Sequence, residues 1–349
     1  MKSVSVNTSH PYEVLVGNGL LVQSGSLIAK RIAPCIAAVI ADDTVDALFG
    51  DTLEMSLQKA GFQVCRIVFS HGEASKNMTT LAGVLEQLAE NQITRTDLIV
   101  ALGGGVTGDL AGFAAAVYLR GIRFVQVPTT FLAAIDSSVG GKTAVDLAAG
   151  KNLAGVFWQP KLVICDCEAI KMLPTPYFLD GMGEAVKYGM AFDKTLLPLL
   201  KGNVFARLPE IIAQCVALKA AIVAQDERDT EERRKLNFGH TLGHAIERCS
   251  NFSVTHGQAV AIGMVIITRA CVKRGKVSPE TLETLLDTLV VCGLPTVCDY
   301  GVDALAKAAL VDKKRSGDRI ALILPKAVGE CTIEEIAIGA LKTWIKQGL

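Results

Sequence analysis

Between residues 35 and 165 the chain alternates short, β-branched apolar runs with stretches of helical period, and this alternation restricts the fold more than any other feature. The runs 35–41, 62–69, 97–102, 123–127 and 162–165, bounded by residues such as Gly, Pro and Asp, read as buried strands. Segments 45–60, 77–91 and 109–119 place apolar side chains at i, i+3 and i+4 and read as helices. That order predicts a largely parallel sheet with helices on both faces. Residues 1–16 read as a pair of alternating strands appended to it. After about Pro174 the texture becomes helical, with long stretches around 209–228, 237–249, 257–274 and 279–291. Pro176, Pro209 and Pro279 lie where helices can begin. A short strand pair near 320–324 and 331–333 closes the chain. The expectation is an α/β domain with a parallel sheet over 1–174 and a mostly α-helical domain over 175–349.

Composition narrows the function classes. At roughly 100–200 residues per domain, 349 residues suit two cores. Lys and Arg number 35 and Asp and Glu also 35, so the basic excess of a nucleic-acid binder is missing. With 50% hydrophobic and 20% charged residues the chain is not of disordered type. Segment 1–16 has no leader-like apolar stretch, and no apolar run reaches the ~18 residues of a membrane helix. Ten cysteines, with no Cys-x-x-Cys pair, are expected to be reduced thiols. These features predict a cytoplasmic enzyme with neither nucleic acid nor membrane as partner.

The first chemical motif is Gly103-Gly104-Gly105-Val106-Thr107-Gly108-Asp109, which follows a strand and opens a helical pattern. Glycines let backbone amides approach a diphosphate closely, and the helix N-terminus adds positive potential. Gly103, Gly105 and Gly108 match the dinucleotide fingerprint, but no acid lies about 20 residues downstream to take the ribose. Asp42, closing an earlier strand, reads equally as that ribose acceptor or as a helix N-cap. In Thr129-Thr130…Asp136-Ser-Ser-Val-Gly140-Gly141-Lys142-Thr143, the ending resembles a phosphate-binding P-loop whose first glycine is absent from position 136. Lys142, with Lys151-Asn152, still suits anion binding in a glycine-bounded loop.

Histidine is scarce, five in all, yet His240, His244 and His256 fall within 17 residues and beside glycines. His240 and His244 share a helical face at i and i+4. Glu184 and Lys187 stand in the apolar run Asp180-Gly-Met-Gly-Glu184-Ala-Val-Lys187-Tyr188. Imidazoles and a carboxylate suit Zn²⁺ with a position left open for substrate. One such histidine alone reads more simply as a core residue; three together point to a metal. Spacing by itself selects His240 and His244 as the chelating pair.

With these motifs in one order, from Asp42 to Asp312-Lys313-Lys314, the chain resembles the 3-dehydroquinate synthase family over almost its full length. The resemblance implies a nucleotide-binding α/β domain and a helical domain, NAD⁺ and Zn²⁺ or Co²⁺ between them, and a homodimer. The implied reaction belongs to the shikimate pathway. It converts the sugar acid phosphate DAHP (3-deoxy-D-arabino-heptulosonate 7-phosphate) to 3-dehydroquinate and phosphate by transient oxidation, β-elimination, reduction and aldol closure. Metal ligation is implied for Glu184, His240 and His256, with His244 turned to the substrate instead, against the choice made from spacing. NAD contacts are implied for Asp42, Glu73, Lys76, Gly104, Gly105, Val106, Thr107, Gly108, Asp109, Thr129, Thr130, Lys142 and Lys151. Substrate contacts are implied for Asp136, Lys142, Asn152, Lys187, Lys219, Arg233, Asn237, His244 and Lys314, the catalytic ones being Lys142, Lys187, Arg233, Asn237 and His244. Arg120 is implied to reach the neighbouring subunit's site, whereas the bare sequence reads it as a helix C-terminal cation.

Two departures from the family pattern stand out. Asp229 takes the place of a Glu, with a following Gly-Leu lost, and Gln258 stands where Glu is commoner. Sibling sugar phosphate cyclases act on substrates without a carboxylate and tend to replace the residue at His244; Arg233, Asn237 and His244 together favour DAHP. A metal-dependent alcohol dehydrogenase is the other alternative, and net NADH appearance would mark it.

Overall fold

The computed structural model describes residues 1–310, 315–316 and 318–349, without the side chains of 315 and 316. Lys314 therefore lies outside the described residues. The chain divides into two compact units, Met1–Leu173 with Lys219–Arg228, and Pro174–Leu218 with Asp229–Leu349.

In the first unit, β1 (Lys2–Val6), β2 (Tyr12–Gly17), β3 (Ile36–Asp42), β4 (Gln63–Phe69), β5 (Leu98–Gly103), β6 (Arg123–Pro128) and β9 (Leu162–Asp166) form one sheet. Its order is β1-β2-β9-β6-β5-β3-β4. Every neighbouring pair is parallel except β1 with β2. Alternate residues feed two separate cores. Ala37, Val39, Leu98, Val100 and Leu102 pack with Leu27, Leu53 and Leu57. Ala38, Ile40, Ile99 and Ala101 pack with Leu81, Leu88, Leu110 and Ala114 on the opposite face. Burial on both faces is why these strands read as unbroken apolar runs rather than as an alternation.

The ribbon of β7 (Lys142–Leu147) and β8 (Gly150–Phe157) corrects the expectation of a glycine-bounded loop. Lys142 opens β7, while Lys151 and Asn152 follow Gly150 at the start of β8. Gly140 and Gly141, at φ of +95° and +69°, supply the turn into the ribbon. The helix after the glycine loop spans Gly105–Val117, four residues earlier than its apolar period suggested. Arg120 accordingly lies three residues beyond this helix, at the end of the short 3-10 turn Tyr118–Arg120, where Leu119, Arg120 and Gly121 all have positive φ.

The second unit is built from helices, with a hairpin of Arg319–Ala327 and Glu330–Ala337. Pro176 and Pro279 do sit in first turns. Pro209 does not: it lies inside the helix Val204–Gln225, which starts upstream where Asn203 Oδ1 accepts from the Ala206 amide. This helix is long and apolar enough to cross a membrane, contrary to the expectation from residue runs. Leu208, Ile211, Ile212, Cys215, Val216 and Val223 are fully buried at the spacing of a single stripe, the pattern of a core helix. All ten cysteines are free.

Asp97, 5% exposed, fastens the sheet at the start of β5. Its carboxylate accepts from the Thr94 amide at 2.7 Å, the Thr94 hydroxyl at 2.6 Å and the Ile36 amide at 2.9 Å. Burial raises its pKa, but these donors outweigh burial and hold it below the usual carboxylate value. Its contribution is therefore complete above the unfolded-state value near ~3.9 and is lost as pH falls through the lower folded value. Asp97→Asn should cost about 1–2 kcal/mol at pH 7. Urea unfolding of both proteins across the acid range should show the difference shrinking as pH drops.

Candidate active site

The glycine loop opens the first unit's candidate site. Gly104 is the N-cap of the Gly105–Val117 helix, and a Cβ on Gly103 would lie 2.3 Å from Thr107 Oγ1. A Cβ on Gly108 would lie 2.8 Å from Gln126 Oε1, so this glycine lets the helix settle on β6. A helix N-terminus beside strand ends suits the binding of a diphosphate. Thr129 and Thr130 border it, the Thr129 amide donating to the Gly103 carbonyl at 3.0 Å and Thr130 Oγ1 accepting from Ala133. Val106 is part of the helix's first turn.

Asp42 caps a helix: its Oδ1 accepts from the Val45 amide at 2.9 Å, while Oδ2 accepts from the Thr107 hydroxyl at 3.4 Å. Buried Lys76 lies 2.6 Å from Asp109 and 3.9 Å from Glu73, and Lys151 lies 3.7 Å from the same Glu73 oxygen. Burial opposes the charge on Lys76, but Asp109, Glu73 and Asp146 hold its pKa above the ordinary value. The Lys76 carbonyl accepts from the Asp146 amide, and Asp146 Oδ1 accepts from the Asn152 amide, which links this cluster to the ribbon. Asn152 itself has a φ of +55°. Lys219 Nζ donates to the Asp136 carboxylate at 2.5 Å and to its carbonyl at 2.6 Å.

The second unit holds the histidine cluster. In the helix Thr175–Ala191 every residue from 181 to 191 is buried, including Glu184 at 0% and Lys187 at 1% exposure. Charges buried this deeply are paired: Lys187 Nζ donates to Glu184 Oε2. The other oxygen, Oε1, faces His240 Nε2 at 3.3 Å and His256 Nε2 at 3.4 Å. Glycines allow the approach. A Cβ on Gly183 would lie 2.3 Å from the Gly257 carbonyl, and one on Gly263 would lie 2.1 Å from the Gly239 carbonyl.

The arrangement suits a divalent ion on the chemistry of its donors. Tetrahedral bonds of about 2.0–2.1 Å hold donors about 3.3–3.4 Å apart, the separations found here. His240 Nδ1 lies 3.1 Å from the Phe238 carbonyl, which favours a proton on Nδ1 and leaves Nε2 to ligate. His256 Nδ1 faces Glu247 Oε2 at 3.4 Å. Burial lowers the His256 pKa, but Glu184 and Glu247 outweigh it and push it up to about 10. An entering ion therefore displaces a proton. His244 is half-buried, its ring centroid 5.6 Å from that of His240 and 6.0 Å from that of His256. Arg233, 2% exposed, and Asn237 lie in the short helix Glu232–Asn237, ahead of the histidines.

The supporting roles of four residues escaped the reading of the sequence. Asp180 Oδ1 accepts from the Gly257 amide at 2.8 Å and so fixes the start of the helix that His256 opens. Glu247 faces His256, as above. Thr255 and Gln258 form a reciprocal capping box at the same helix start, a Thr-x-x-Gln signal that was present in the sequence. Gln258 performs this capping as Glu would, which accounts for one departure. Asp229 adopts a φ of +59°, a region that Asp enters more readily than Glu, which gives the other a physical ground.

Fold and site together define a class, the sugar phosphate cyclases. The chain superposes on 2-deoxy-scyllo-inosose synthase complexed with carbaglucose-6-phosphate, NAD⁺ and Co²⁺ with a TM-score of 0.90, at 26% identity over 100% of each chain. It superposes on 2-epi-5-epi-valiolone synthase from Streptomyces hygroscopicus subsp. jinggangensis 5008, with NAD⁺ and Zn²⁺ bound, with a TM-score of 0.86. That identity is 25%, over 100% of this chain and 98% of the other. Within the class, residues 66–180 match the 3-dehydroquinate synthase N-terminal model and residues 181–315 the C-terminal model. The 3-dehydroquinate synthase of Clostridium kluyveri is 42% identical over 346 residues, 97% of this chain and 96% of that protein. The chain belongs to the 3-dehydroquinate synthase family.

Gly183→Ala should push the two helices apart at Gly257, costing about 1–3 kcal/mol as an overpacked core does. It should also weaken zinc binding, because Glu184 and His256 ride on those two helices. Thermal melting with and without Zn²⁺ measures both effects, and the zinc-induced rise in melting temperature should shrink.

Proposed function

We propose that the protein is a 3-dehydroquinate synthase that converts DAHP to 3-dehydroquinate and phosphate with catalytic NAD⁺ and one divalent ion, Zn²⁺ or Co²⁺. The observation that carries the reading is the convergence of His240 Nε2 and His256 Nε2 on one oxygen of the buried Glu184. Family membership and the NAD⁺ and Co²⁺ or Zn²⁺ named for the two similar structures support it.

When bound, the ion polarises a substrate hydroxyl and NAD⁺ accepts and returns a hydride, so no cofactor is consumed. The glycine loop 103–108 with Asp109, Thr129 and Thr130 holds the dinucleotide, Lys76, Lys142 and Lys151 stand beside its anionic groups, and Asp42 and Glu73 take its polar ones. Arg233 offers a planar fork to the substrate carboxylate. Lys142, Lys187, Lys219 and Lys314 offer point charges to its phosphate and oxygens, while Asp136, Asn152 and Asn237 orient its hydroxyls. His244, half-buried beside the cluster, exchanges protons with the substrate. Arg120 serves the site of a second copy in a homodimer, and its left-handed turn is the kind of backbone strain kept at working positions. Ten free thiols fit a reducing compartment such as the cytoplasm.

Incubation with DAHP, NAD⁺ and Zn²⁺ should release phosphate without net NADH, and a chelator should stop it. No phosphate with any divalent metal refutes the assignment; net NADH would indicate a dehydrogenase. His240→Ala and Glu184→Ala should lose bound zinc while His244→Ala keeps it, as measured by metal analysis of the purified variants. Equal loss in all three would reinstate His240 and His244 as the chelating pair.

A further inference from the structure

Beside the first cluster of possible metal ligands stands another. His244 and Glu247 lie three residues apart on the helix His240–Cys249 and so present one face, and His256 comes from the next helix. The ligand atoms of His244, Glu247 and His256 lie within 4.8 Å of one another, the span that also contains those of Glu184, His240 and His256. His256 belongs to both trios through different nitrogens. Its Nε2 faces Glu184 at 3.4 Å, and its Nδ1 faces Glu247 at 3.4 Å. The second contact is a long hydrogen bond, beyond the 2.7–3.2 Å usual to nitrogen and at the donor–donor edge of about 3.3–3.4 Å around tetrahedral zinc.

We infer that His244, Glu247 and His256 Nδ1 form a second, weaker site for a divalent ion of zinc type, and that occupying it inhibits the enzyme. Two imidazoles and one carboxylate are a donor set that zinc accepts. Filling the site replaces the proton on His256 Nδ1, which passes to solvent, and leaves the ring bridging two ions. The shared ligand makes the second ion the weaker one, because both ions draw on a single ring. It also takes the His244 lone pair, so the residue no longer exchanges protons with the substrate. Excess metal therefore opposes the activity that the first equivalent sustains. The inference rests on the proposed function for its consequence and on the reading of Glu184, His240 and His256 as the first ligands.

Equilibrium dialysis of the whole protein against Zn²⁺ tests it. The wild-type chain should take up one ion at low free zinc and a second at higher free zinc, and phosphate release should rise with the first and fall with the second. His244→Ala and Glu247→Gln should each keep the first ion, which also reports that the cluster is folded. Each should weaken the second by more than the roughly 10–100-fold that loss of a merely supporting partner costs. Glu184→Gln should lose the first ion. Saturation at one ion that Glu184→Gln removes leaves the proposed function standing and overturns the second site. A second ion retained at unchanged affinity in both variants overturns it equally, and failure to bind any zinc overturns the metal reading and the second site together.

Discussion

The burial of one carboxylate organises the second unit. Glu184 has no exposed surface, and an ionised carboxylate so placed costs several kcal/mol unless charges and donors replace its water. Lys187 supplies the countercharge one turn along the same helix, and the imidazoles of His240 and His256 supply the rest from two other helices. Such a cluster forms only where three helices approach more closely than ordinary side chains permit. The glycines at 183, 239, 257 and 263 are therefore as much part of the site as the ligands: each takes its place against the backbone of a neighbouring helix. Removing one partner would leave the others buried and uncompensated, so the cluster stabilises its unit only when complete.

How much of this was legible in the sequence depends on how local the signal was. The parallel sheet was legible because strands buried on two faces leave continuous apolar runs, and helices between them leave a clear period. The ribbon of β7 and β8 was missed because glycines at 140 and 141 precede it and those at 150 and 155 fall within it, which imitates a loop. Pro209 misled because a proline fits a helix's first turn best, yet here the helix begins five residues earlier under an Asn203 cap. In the histidine cluster, i and i+4 spacing correctly put His240 and His244 on one face. It was silent about Glu184, more than fifty residues upstream, because the pairing is tertiary. Only the family resemblance pointed to that trio, which the folded chain brings together.

The balanced composition takes on a local meaning once the pairs are seen. Several cations proposed for cofactor or substrate are already engaged by carboxylates: Lys76 with Asp109 and Glu73, Lys151 with Glu73, Lys219 with Asp136, and Lys187 with Glu184. Pairing of this kind offsets the desolvation of a buried ammonium and fixes a long, flexible side chain before any ligand arrives. An incoming phosphate or carboxylate then meets charges held in place and shares them with the resident acids, losing less side-chain entropy than it would against free lysines. The arrangement also sets a limit. A resident acid that aligns a lysine also repels an anionic ligand, so the gain from preorganisation must exceed that repulsion at every such pair. It does so most easily where the acid has other donors to turn to or an ion to bind, and Glu184, facing two imidazoles and a lysine, is the position where that condition is best met.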